Sequence, residues 1–335
     1  MAKGLTDAKH YAAIAAVLRE NSADAEGTVT PPQMAQKLQA MAEHRYSQGY
    51  DRGLENGYSE GYGIAQQMLA RTTSEFTDEE LESLGDGAFY GSGSLESLTL
   101  PNLTRIGASA FYKCACLTEL SFPKVTNVGS NAFQYCDSLQ SITLPAMTAA
   151  GPASFSSCTS LERVYFPKLT DTADRMFQNC ASLKQVILPA AKTVANYCFS
   201  GCVALTEFVN AVTSVGEQGF YGCTALRELT LPMCAKIENK AFLNCTALER
   251  LDIGMQTTTA SGGYINAQAF GNCSKLKTLI LRWVIPLRNA NALSGTPIAG
   301  GSGLIYVPSN LVSAYRSATN WSTYASRITA IPAGM

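Results

Sequence analysis

Eleven cysteines and two histidines are the side chains through which this 335-residue chain could do covalent, redox or metal chemistry. The histidines, His10 and His44, have no Cys or Ser beside them in a recognisable nucleophile setting. No Cys-x-x-Cys pair occurs, and Cys114 and Cys116 stand too close for a zinc knuckle. Asp78, Glu79, Glu80 and Glu82 could form a carboxylate site, but Thr77 three residues before Glu80 reads as a capping box, with acids in a first helical turn. Gly300-Gly301-Ser302-Gly303 is not followed by the lysine of a phosphate cradle, and Leu304 to Val307 read as a strand. Neither a Walker nor a dinucleotide fingerprint is present. The expectation is a non-enzymatic chain with no catalytic residue, no cofactor and no metal.

Eight cysteines are instead periodic: Cys114, Cys136, Cys158, Cys180, Cys202, Cys223, Cys245 and Cys273. Each follows a phenylalanine by three residues, within the series Phe89, Phe111, Phe133, Phe155, Phe177, Phe199, Phe220, Phe242 and Phe270. Ser92 takes the cysteine slot in the first unit. The Phe spacing is 22 residues five times, then 21, 22 and 28. A fixed period of this length marks a solenoid, whose units bury their apolar sides only against their neighbours. A cysteine at one inward position acts as a small buried hydrophobe. A reduced column is the leading reading, with a disulfide framework second. Cys116, Cys198 and Cys234 stand outside the column with no evident role.

Aligned on Phe, a unit reads F-x-x-C-x-x-L-x-x-L-x-L-P-x-x-x-x-I-G-x-x-A. The steps of three from Phe to Cys to Leu suit a tight helical turn with one face inward. Alternation such as Leu229-Thr230-Leu231 suits a short strand, ended by a proline that cannot continue a ladder. Gly107, Gly129 and Gly216 fit bends where a Cβ would crowd the next coil. The middle residue of each strand then faces outward: Thr99, Ser121, Thr143, Tyr165, Ile187, Val209, Thr230, Asp252 and Ile280. On this face Arg163, Tyr165, Gln185, Ile187, Glu207, Glu228 and Arg250 are the expected partner-binding residues, centred on Tyr165 and Arg163.

The unit, with its short strand, its Pro and its Phe-x-x-Cys-x-x-Leu core, resembles the BspA-like type of leucine-rich repeat over about residues 84–281. That resemblance implies an α+β solenoid of about nine 22-residue units at 73–282. Unit six departs from it, with Phe208-Val209-Asn210 in place of Leu-x-Leu-Pro, and residues 254–264 form an insertion expected to project as a loop.

Residues 1–72 differ in kind and read as a helical attachment segment. A first helix is expected from Thr6 or Asp7 to Arg19, and a second opens at Thr30-Pro31. A Gly-Tyr stretch follows, with Gly49, Tyr50, Gly53, Gly57, Tyr58, Gly61 and Tyr62 in a four-residue period. It is either a flexible tether or a helix whose glycine stripe admits a second helix and supports homo-oligomerisation. Leu5-Thr6-Asp7, Tyr11, the later Thr30-Pro31-x-x-Met34 and the Gly-Tyr repeats resemble the leader of prophage tail-associated proteins. This implies attachment to other particle proteins and placement in a virion. No classical signal peptide is visible at the start.

Residues 283–335 hold both tryptophans and read as a cap over the solenoid end, with a strand at Leu304–Val307 and a short helix begun by Ser309 or Asn310. A ligand-binding aromatic site around Trp321 and Tyr324 is the alternative. A net charge of −1 without runs of Lys or Arg argues against nucleic acid, and no apolar stretch is long enough for membrane insertion. The expected function is non-catalytic binding of a host-surface protein or glycan by a phage-tail component. A bacterial surface adhesin or a cytosolic scaffold is the alternative.

Overall fold

The computed structural model describes residues 75–79, 81–254 and 262–334. The helices and the Gly-Tyr stretch expected before residue 73, and the middle of the 254–264 insertion, lie outside the described residues.

The chain winds as a stack of coils in which one parallel strand recurs per coil. The strands are Glu75–Thr77, Ser97–Thr99, Glu119–Ser121, Ser141–Thr143, Arg163–Tyr165, Gln185–Leu188, Glu207–Asn210, Glu228–Leu231, Arg250–Ile253, Thr278–Leu281, Leu304–Val307 and Ile328–Ala330. They pair in register in three successive parallel runs, so that equivalent residues of adjacent coils lie side by side. A second series of two-residue strands, from Ser83–Leu84 to Tyr264–Ile265, lies after the longer strand of most coils. The solenoid with leucine-rich repeat character is therefore present, and helix is sparse among the described residues.

The phenylalanines form the spine. Consecutive rings from Phe89 to Phe270 stack with centroids 4.9–5.7 Å apart and planes within 22° of each other. All nine are fully buried. Burial of each such side chain contributes about 1.5–3 kcal/mol, and the offset stacking adds to it.

The turn through Phe and Cys is not helical as expected. Bonds of the i+3 type do occur, such as Cys114 N–H to the Phe111 carbonyl and Leu117 N–H to the Cys114 carbonyl. Left-handed residues interrupt them two places before and two places after every Phe, as with Ser109 and Lys113 around Phe111, or Asn131 and Tyr135 around Phe133. These reversals turn the Phe N–H toward the next coil, where Phe111 N–H meets the Ala132 carbonyl at 2.7 Å. Gly or Asn at many of these positions (Gly87, Gly91, Asn179, Gly201, Gly222, Asn244) was the available signal, since both tolerate positive φ. At the coil bends, a Cβ on Gly107 or Gly129 would meet the backbone of the previous coil at 2.5 Å. Closeness of the coils thus explains glycine there, as expected.

The capping box at Thr77 is corrected. Thr77 ends a strand paired with Ser97–Thr99, and the Leu81 N–H donates to Asp78 Oδ1 at 3.0 Å in a turn before Ser83–Leu84. The acids there begin the first coil rather than a helix.

The sheet does not stop at Leu281. Leu304–Val307 pairs with Thr278–Leu281, and Ile328–Ala330 pairs with Leu304–Val307. Between them a 3-10 turn, Ser309–Leu311, leads into helix α1, Val312–Ser317, whose N-cap is Leu311 rather than a Ser or Asn side chain. Trp321, Tyr315 and Tyr324 are buried, and their polar tips donate to main-chain carbonyls of Ile285 (2.7 Å), Trp283 and Ala290 (2.6 Å). Asn320 Nδ2 is likewise bound to the Leu287 carbonyl at 2.8 Å. Tyr315, Trp321 and Tyr324 pack into the core, so they form no open aromatic ligand site.

Candidate partner-binding face

The periodic thiols form a column inside the solenoid. Each Sγ donates to the carbonyl of the Phe in the preceding coil, at 3.0–3.2 Å, from Cys114 to Phe89 through Cys273 to Phe242. Every described cysteine is a free thiol. Burial pushes the Cys114 thiol up to about 12 and holds Cys136, Cys180, Cys202, Cys223 and Cys245 well above the ordinary thiol range. A neutral, desolvated thiol is a poor nucleophile and a poor metal ligand. Cys198 fills the slot taken elsewhere by Ala before Phe, and Cys234 the slot of Leu103 or Val125; both are buried. Cys116 is exposed. Among the described residues no group of three His, Cys, Asp or Glu could hold a metal ion.

The outward positions of the strands form the remaining candidate. Register places Arg163, Gln185 and Glu207 in one row, and Tyr165, Ile187 and Val209 in the next. Tyr165 and Val209 are each 42% exposed, and Ile187 between them is half-buried. This apolar run interrupts a row that otherwise begins with Thr77, Thr99, Ser121 and Thr143. Polar neighbours are paired: Gln185 Nε2 donates to a Glu207 carboxylate oxygen at 2.7 Å, and Lys184 Nζ meets Glu162 at 2.8 Å. The ammonium of Lys184 lowers the Glu162 carboxyl below its usual range. Both partners are exposed, so the ion pair contributes little to stability.

Further along, Glu228 and Arg250 stand in one row, and Asp252 follows Thr230 in the other. Asp252 does not face solvent as expected. It is 5% exposed, clasped by Arg282 at 2.8 and 2.7 Å and approached by Arg250 at 3.4 Å. This carboxylate raises the Arg282 guanidinium above its ordinary value. Ile280, its register partner, is also fully buried. The site residues Arg163, Tyr165, Gln185, Ile187 and Glu207 are thus brought together on adjacent strands, Glu228 and Arg250 continue the row, and the Gly-Tyr residues lie outside the described residues.

A second exposed aromatic group was missed. Tyr90 and Tyr112 stack at 4.9 Å, Tyr135 meets Tyr112 edge-on at 5.5 Å, and the Lys113 ammonium lies 5.5–5.9 Å from two of these rings. Tyr directly after Phe89 and Phe111 was the signal in the sequence.

A family model described as BspA type Leucine rich repeat region matches residues 82–206 and 192–311, in six copies. Solved structures similar to this chain include a leucine-rich repeat protein of T. pallidum, 29% identical over 46% of this chain and 78% of its own, with a TM-score of 0.44. A leucine-rich repeat protein from Bacteroides ovatus is 21% identical over 81% of this chain and 87% of its own, with a TM-score of 0.49. The pneumococcal vaccine antigen PcpA is 16% identical over 77% of each chain, with a TM-score of 0.41. No curated protein matches the chain. Among the described residues no helix is long and apolar enough to cross a membrane.

Proposed function

Because this chain belongs to the BspA-type leucine-rich repeat family, whose repeats generally serve as non-enzymatic binding scaffolds, we propose that its sheet face docks a macromolecular partner around Tyr165, Ile187 and Val209. The observation that carries this reading is the exposed apolar run in a row of hydroxyl-bearing side chains. Nothing in the packing of the solenoid requires apolar groups there, since the core lies on the other side of the sheet. Desolvating such a run, framed by Arg163 and Glu207, is a source of binding energy for a complementary surface. Arg250 and Glu228 extend the polar frame.

The partner we favour is a host-surface protein or glycan, met by a solenoid that a phage tail carries through the N-terminal segment. The resemblance of that segment to prophage tail-associated leaders supports the particle, with Gly49, Tyr50, Gly53, Gly57, Tyr58, Gly61 and Tyr62 as attachment or self-association residues. Imaging purified particles with a label on this chain tests the particle, and an unlabelled tail would sink it.

The face is tested separately. The full chain is screened against a displayed library of random peptides and a printed glycan panel. Val209→Glu should abolish capture while leaving the melting temperature within a degree or two, since an exposed change costs at most about 0.5 kcal/mol. Capture that survives this change and Tyr165→Ala would place binding elsewhere.

A further inference from the structure

The charges of the solenoid are sorted along its length. Residues 75–217 carry fourteen Asp and Glu against eight Lys and Arg, whereas residues 227–327 carry ten Lys and Arg against four Asp and Glu. Coils stack in sequence order, so this is a separation along the solenoid axis. Soluble surfaces ordinarily intersperse the two signs and keep a net charge away from zero. Here the whole chain has a net charge of only −1, so copies scarcely repel, and each presents an acidic and a basic end to the other.

The apolar run sits midway between those ends. Tyr165, Ile187 and Val209 lie on the fifth, sixth and seventh of the twelve long-sheet strands. From these two observations we infer that two copies of this chain pair antiparallel through their sheet faces, with the apolar run on the two-fold axis. The inference rests on the reading of the sheet face as a docking surface: the second copy covers the face in the free protein, and a host ligand displaces it.

Register makes the pairing specific. A two-fold axis parallel to the strands, between the sixth and seventh, keeps each row opposite its own row. Ile187 of one copy then meets Val209 of the other, twice over. The fifth strand meets the eighth, so Arg163 faces Glu228, and just before those strands Glu162 faces Arg227. Acidic ends lie over basic ends, whereas a parallel pairing would set like against like. Strands about 4.8 Å apart make the face about 50 Å long and about 10 Å wide. That buries on the order of 500 Å² per copy, the low end for a specific interface. The dimer is therefore weak, reversible and salt-sensitive.

Sedimentation velocity of the full chain at low and high salt tests this. A monomer–dimer equilibrium is expected at low salt and a monomer near 1 M salt. Val209→Glu and Arg163→Glu should each weaken the dimer about tenfold or more, and adding Glu228→Arg to Arg163→Glu should restore it. A monomer at every salt concentration, or a dimer that Val209→Glu leaves intact, overturns the inference. The peptide and glycan screen separates the two ideas. If Val209→Glu abolishes capture by a chain that is always monomeric, only self-pairing falls. If it changes neither capture nor association, both fall.

Discussion

The interior of the solenoid and its sheet face are built by the same coils, one residue apart in sequence, yet they obey opposite rules. Along the interior, Phe and Cys recur almost without exception, because each side chain must fit against its own copy in the coil above and below. Along the outward row, Thr143, Tyr165, Ile187, Val209 and Thr230 succeed one another with no repeat. A ring stack or a thiol column has one solution at a given coil spacing. A solvated strand position has many, so its chemistry is free to serve a partner. Regularity reports the fold, and departure from regularity reports the surface that is free to recognise.

The comparison can be broken most severely by alkali. Folded Cys114, Cys136, Cys180, Cys202, Cys223 and Cys245 hold their protons to higher pH than the unfolded chain, whose thiols ionise near 9.0, whereas the thiols of Cys136 and Cys180 hold Cys158 below that range. The unfolded state therefore releases protons first as pH rises, and stability present below about pH 9 should fall continuously toward pH 12. Denaturant midpoints measured from pH 7 to 11 check this, and a flat or rising curve contradicts the buried column. Phe177→Ala comes next: it removes one ring from the middle of the stack and should cost about 3–5 kcal/mol in urea unfolding. A loss under about 1 kcal/mol would mean that the spine tolerates a gap. Gly129→Ala should cost about 1–3 kcal/mol, because the added Cβ meets the Gly107 backbone at 2.5 Å. A neutral result would show that the coils can move apart at that bend.

Much of the fold was legible because the repeat repeats. The Phe and Cys columns, the strand positions and the bend glycines follow from a period that any single unit would have hidden. Less legible was the path between Phe and Leu, where spacing by three suggested a helix. The left-handed residues that defeat it include Lys113, Tyr135 and Arg175, whose types give no warning. Thr77 and the acids after it misled for a related reason: a side chain that accepts from the N–H three residues on, as Asp78 does from Leu81, serves a helix start and a strand-to-strand turn equally well. On the face, alternation correctly turned Tyr165 and Val209 outward but could not reveal that Arg282, thirty residues away, would bury Asp252.

By itself, the sequence determined that a coil repeats and which side chains point inward. Periodicity suffices for this because each coil sees only its neighbours. Tertiary structure alone decided which residues of different coils share a row, which donor each Phe carbonyl accepts from, and which outward residues are covered. Those depend on register between coils, a relation that exists only once the chain has wound upon itself.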